Sequence, residues 1–122
     1  MCLALHTNPT DREKKVQFGW KVFDRGLNRG LVTPFYDYKS KWKLNQWKKA
    51  RTCGRTPTCV GFHVFFTKRD AEYYRKSLGG YSVRRVEVKD IMQVGLIRSW
   101  TNCQRWMRAF TCKHCRIVRQ KR

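Results

Sequence analysis

Gly61-Phe62-His63-Val64-Phe65-Phe66-Thr67-Lys68-Arg69-Asp70-Ala71 is the stretch on which the fold turns. Its first seven residues are apolar on both sides of a period-two pattern. That predicts a strand over 61–67 buried on both faces, at the centre of a sheet. The pattern then switches to helical. Thr67 is a good N-cap with Asp70 three residues on; Asp70 and Glu72 oppose the macrodipole in the first turn, and Arg75 and Lys76 do so in the last. Ala71, Tyr74 and Leu78 form the inward stripe of a helix over 68–78, which Gly79 and Gly80 end. His63, inside the apolar strand, reads as a core histidine hydrogen-bonded to backbone. A catalytic histidine would need a nucleophile or acid beside it.

Working outward, Val16 to Val22 alternates and predicts a strand. Gly26 and Gly30 bracket a turn, and Leu31 to Tyr36 is a returning strand that Pro34 confines to an edge or a bend. A second helix is expected near 41–50 and a loop over 51–60. Ser82 to Lys89 alternates again, with Val86 and Val88 on one side and Arg85, Glu87 and Lys89 on the other. Residues 91–97 continue that strand or pair beside it. Cys103 to Arg119 is expected as a last hairpin with Cys112 and Cys115 near its tip. The whole predicts one small α+β domain over 1–122, an antiparallel or mixed sheet with one or two helices. A loosely held arm over 1–15 precedes it, and a basic, Cys-containing extension over 100–122 follows.

Gly19-Trp20-Lys21-Val22-Phe23, then Gly61 to Ala71, then Val83 to Gly95, occur in an order that resembles a loose group of small uncharacterised proteins from phages, large DNA viruses and bacteria. These share a G-[FI]-H-x-F-x-T-x-x-x-A strand-to-helix motif. Tyr38 to Ala50 is similar to their central segment, with Asn45 where that group has Gly. The resemblance covers about residues 19–95. It implies a fold neighbourhood and a viral or mobile-element origin, and it carries no activity to transfer.

Charge limits function more sharply than motif does. Lys and Arg number 28 against 8 Asp and Glu, a formal net charge of +20. A globule of this mass exposes roughly 7,000 Å², so one unpaired positive charge falls on the order of every 350 Å². Such a surface repels itself, and a polyanion relieves the repulsion while releasing counterions. A solubilising surface would mix both signs instead. The charge is concentrated in two acid-free blocks. Tyr38 to Arg55 interleaves Lys39, Lys41, Lys43, Lys48, Lys49 and Arg51 with Trp42 and Trp47. The second block, toward the C-terminus, holds Arg105, Arg108, Lys113, Arg116 and Arg119, with Trp100 and Trp106 close by. Cationic groups grip phosphate and indole faces stack on bases, so these residues are the candidate nucleic-acid contacts, for RNA or DNA. Whether the two Trp are contacts or core anchors stays open at this level. The two blocks are expected on one face.

Cys112-Lys113-His114-Cys115 has the spacing of half a zinc site, with Cys103 as a third ligand and Cys53 and Cys59 as a poorer other half. Buried free thiols and a disulfide fit the same pattern, and no cofactor is required. Walker, Rossmann, HExxH and GxSxG signatures do not occur. Eight acids serve paired-carboxylate or two-metal chemistry poorly. The expected function is therefore non-enzymatic: sequence-tolerant nucleic-acid binding. The alternative is a viral structural or inhibitor protein that docks on an acidic protein surface. Met1 to His6 turns polar too soon for a secretion signal, and no apolar run reaches the ~18 residues of a membrane helix. An intracellular or virion setting without membrane contact is expected.

Overall fold

The computed structural model describes residues 4–25, 31–32, 42–50, 61–78, 82–98 and 106–119. Along the chain these form β1 (Ala4–Thr7), α1 (Asp11–Lys14), β2 (Phe18–Arg25), β3 (Leu31–Val32), β4 (Lys48–Lys49), β5 (Phe62–Phe65), α2 (Lys68–Leu78), β6 (Ser82–Arg98) and β7 (Trp106–Ile117). The fold is a small α+β or mainly β one in which the sheet dominates. Every strand ladder among the described residues is antiparallel.

The ladders close on themselves. β6 pairs with β2 through residues 82–87 and with β7 through 86–98. β5 pairs with β7 over 62–65 and meets β2 where Trp20 stands opposite Phe65. The ring β2–β6–β7–β5 encloses Phe23, Phe62, Val64, Val86, Val88, Phe110, Cys112, Cys115 and Ile117, joined by Trp42 and Ala50. On the opposite face, Val22, Phe65, Ile97, Met107 and Ala109 pack with Ala71 and Tyr74 of α2. β5 is thus buried on both sides, as its unbroken apolar pattern requires.

Closure depends on close approach and on bends. A β-carbon at Gly19 would collide with Val64 Cγ1 and stand 2.9 Å from the Phe65 carbonyl oxygen, so β2 and β5 meet only over glycine. β6 is 17 residues long and serves two sides of the ring. It turns where its register with β7 slips between Ile91 and Gln93 and where Asp90 adopts φ 58°. There the inward positions step by three on both strands, Val88 to Ile91 and Cys112 to Cys115.

Local chemistry sets the helices. Thr67 Oγ1 accepts from Asp70 N at 3.2 Å and caps α2. Three sequence expectations are corrected, and one left open is decided. Residues 4–15 are an ordered part of the fold: β1 pairs with β6, and α1 carries a full capping box in which Thr10 Oγ1 accepts from Glu13 N at 3.2 Å and Glu13 Oε1 accepts from Thr10 N at 2.9 Å. Residues 42–50 are not a helix: they hold a turn at Asn45, where φ is 61°, and then the two-residue strand β4, because β7 offers it an edge. Residues 91–97 continue β6, the first of the two arrangements expected for them. Cys112 and Cys115 stand in mid-strand, because β7 folds back on β6 as one unbroken strand. The expected turn over 26–30, most of the returning strand beyond Val32, and the loop over 51–60 lie outside the described residues.

Candidate nucleic-acid interface

β4 lies along the edge of β7, with Lys48 opposite Cys115 and Lys49 opposite His114. Ala50 N donates to the Lys113 carbonyl oxygen and Asn45 N to that of Ile117, each at 2.8 Å. The described parts of the two basic blocks, 42–50 and 106–119, are therefore hydrogen-bonded neighbours.

Strand alternation decides which side chains share a surface. Cys115 and Ile117 point into the barrel, so His114 and Arg116 point out. Val86 and Val88 point in, so Arg85, Glu87 and Lys89 point out. On β2, Phe23 points in and Phe18 and Trp20 out. Register then arranges the outward residues in rows. Trp20 faces Arg85; Phe18 faces Glu87, which faces Arg116; Lys89 faces His114, which faces Lys49. Trp47, one residue before β4, extends the middle row.

Each ring in this band carries a cation. Arg116 Cζ and Lys89 Nζ lie 4.7 Å and 4.2 Å from the Trp47 centroid. Arg85 Cζ is 4.3 Å from that of Phe18, and Lys68 Nζ is 5.4 Å from that of Trp20. Two acids enter the band and both are engaged. Glu87 accepts from Arg116 Nη2 at 3.0 Å and 3.2 Å, and Asp90 Oδ2 is 2.8 Å from His114 Nδ1. Among the described residues no carboxylate pairs with Lys43, Lys49, Arg85, Lys89, Lys113 or Arg119.

The candidate contacts separate accordingly. Trp47, Lys49, Lys113 and Arg116 gather at the paired β4 and β7 edge, with Lys43 and Arg119 toward its Ile117 end, whereas Lys48 stands opposite inward-pointing Cys115 with its Nζ 5.8 Å from the Trp42 centroid. Trp42 does not join them. It is only 6% exposed, packed edge-on against Phe23 and Phe62 at 5.2 Å and 5.0 Å, so it anchors the core and its faces are closed to a base. Arg108 lies at the other end of β7, bound to Glu13 at 3.0 Å and over the Phe66 ring at 5.0 Å. Lys39, Lys41, Arg51 and Arg105 lie outside the described residues. Phe18, Arg85 and Lys89 lie in the same band and were not among the candidates, although the alternation of Ser82 to Lys89 already set Arg85, Glu87 and Lys89 on one side; Trp20 packs toward Val22, Phe65 and α2.

The barrel interior holds a second polar group that the sequence pattern concealed. Lys21 is 4% exposed; its Nζ donates to the His63 carbonyl oxygen at 3.0 Å and lies 5.8 Å and 5.7 Å from the Phe23 and Phe62 centroids. Burial pushes its pKa down, opposed by the neighbouring Cys115 and Cys112. Both cysteines are free, buried thiols. Burial, reinforced by a hydrogen bond with Cys115, pushes the Cys112 thiol well up, which makes it a poor nucleophile. The described residues contain no cluster of three or more His, Cys, Asp or Glu able to hold a metal, and Cys103 lies outside them. His63 is a core residue, neutral because burial and then Lys21 lower its pKa to about 3. Its Nε2 has no hydrogen-bond partner, in contrast to the backbone-bonded ring expected from sequence.

No protein-family model, curated protein or solved structure matches the chain. No helix among the described residues is long and apolar enough to cross a membrane.

Proposed function

We propose that the protein is a non-enzymatic nucleic-acid-binding domain whose outward β2–β6–β7–β4 face grips phosphates. The observation that carries this reading is the pairing of β4 with β7. It sets Lys49 and Lys89 on either side of His114, next to Lys113, on a chain of net charge +20, with Lys43 further along the same edge, next to the Leu44–Ile117 bridge. Two separate basic blocks would each bind a polyanion weakly, whereas joined they act on one phosphate track. The sequence offers no base-reading motif, and the band has no groove-entering helix of its own. Phosphate contact therefore sets affinity and the binding is tolerant of sequence.

Lys43, Lys49, Arg85, Lys89, Lys113 and Arg119 are the cations available for contact. About six neutralised phosphates give a log–log salt slope of about −5 on duplex DNA and about −4 on a single strand. The test is fluorescence anisotropy of the purified protein with random duplex, single-stranded DNA and structured RNA between low and physiological salt. A steep loss of affinity with salt is expected. No binding to any of the three at low salt would remove nucleic acid as the partner.

A further inference from the structure

Within that nucleic-acid reading, we infer that the preferred partner is single-stranded, with an unpaired base stacked on Trp47 and its flanking phosphates held by Lys89 and Lys49. The two cations at Trp47 are not equivalent. Arg116 is fixed, because its Nη2 donates to both Glu87 carboxylate oxygens at 3.0 Å and 3.2 Å while its Cζ lies 4.7 Å from the indole centroid. It serves as a rigid support for the ring. Lys89 is an exposed ammonium on a flexible stem, 4.2 Å from the same centroid, and no carboxylate among the described residues pairs with it. An arriving base can replace that ammonium on the indole, and the displaced ammonium is then beside the phosphate the base brings.

The surroundings fit an extended strand. Phe18, Glu87, Arg116 and Trp47 follow one another across β2, β6, β7 and the entry to β4. Phe18 is 39% exposed with Arg85 on its ring, so two aromatic platforms bracket the row. At about 4.8 Å per strand they are no more than about 14 Å apart, a span of a few nucleotides. Cations line both sides of the row, Arg85 on one side, Lys89 and Lys49 on the other. A duplex keeps its base faces inside its own stack and cannot use these platforms; an unpaired base presents a face whatever its identity.

The experiment separates bases from phosphates. Affinities of the full chain and of Trp47→Ala are measured for oligothymidylate, for an abasic deoxyribose-phosphate strand of equal length, and for a duplex with the same number of phosphates. The wild-type protein is expected to bind oligothymidylate about 5- to 150-fold more tightly than the abasic strand. Trp47→Ala is expected to reduce that ratio to near one while still binding the abasic strand. Trp47→Phe, which keeps a ring and the packing on Arg116, should restore most of the ratio and guards against a folding artefact. Equal wild-type affinity for oligothymidylate and the abasic strand overturns the stacking inference and leaves phosphate binding intact. Tighter binding to duplex than to oligothymidylate overturns the single-strand preference in the same way. Absence of binding to all three overturns both the inference and the reading it rests on.

Discussion

Trp42 and Trp47 stand five residues apart in the same basic stretch and have opposite surroundings. Trp42 meets Phe23 and Phe62 edge-on inside the barrel, and Trp47 lies outside on Arg116. Local sequence gives both the same lysine-rich neighbours, and only the pairing of β4 with β7 separates them. Lys21 is the reverse case, a charged residue whose pattern suggests an outer position but which lies among the rings and thiols of the core. His63 provides a prediction at this scale. Its pKa falls from 6.5 to about 3 in the folded state, so the unfolded chain binds more protons between those values. The stability it contributes is complete above about pH 6.5 and is lost as pH falls toward 3, by about 1.4 kcal/mol per unit. Urea unfolding of His63→Gln beside the wild type, at pH 7, 5 and 4, is expected to show the shallower decline in the variant. Parallel declines would mean that His63 is not held neutral by the fold.

Among the elements, β2 and β5 carry the most consequential contact, because the barrel closes there over a glycine. Gly19→Ala must displace Val64 or the Phe65 carbonyl, and is expected to lose about 1–3 kcal/mol in chemical denaturation. An unchanged midpoint would show that the two strands are not in contact. Much at this scale was legible. The two-sided apolar run of β5, the cap and stripe of α2 and the alternation of β6 each have a local cause; β5 and α2 were located to within two residues, and β6 at its start but not at its end. What was not legible depended on distant partners. Residues 42–50 have the composition of a helix, and instead turn at Asn45 and pair at Lys48 and Lys49 with the edge that β7 presents. The N-terminal residues looked unanchored until β6 supplied a ladder for β1. Cys112 and Cys115, three apart, would point to opposite faces of a regular strand; the bend beside Asp90 turns both inward. The candidate site divides along the same line. Its basic residues were visible as composition. Their gathering with Phe18, Arg85 and Lys89 required the register of four strands.

For the whole molecule, the question is whether position or mere quantity of charge produces binding. A net charge of +20 gives any surface of this protein some attraction for a polyanion. The proposed function claims more, namely that the β2–β6–β7–β4 face holds the partner. The most direct measurement compares two variants of identical net charge by anisotropy against single-stranded DNA, over a range of salt. One carries Lys49→Glu and Lys89→Glu in the band. The other carries Arg12→Glu and Lys76→Glu, exposed cations on α1 and α2. The band variant is expected to lose affinity by at least about 10-fold and to show a salt slope shallower by about 1.4, two contacts at about 0.7 each. The helix variant should keep the wild-type slope and lose only a small, general attraction. Equal losses in the two variants would contradict a localised interface and leave the charge as a diffuse property of the surface.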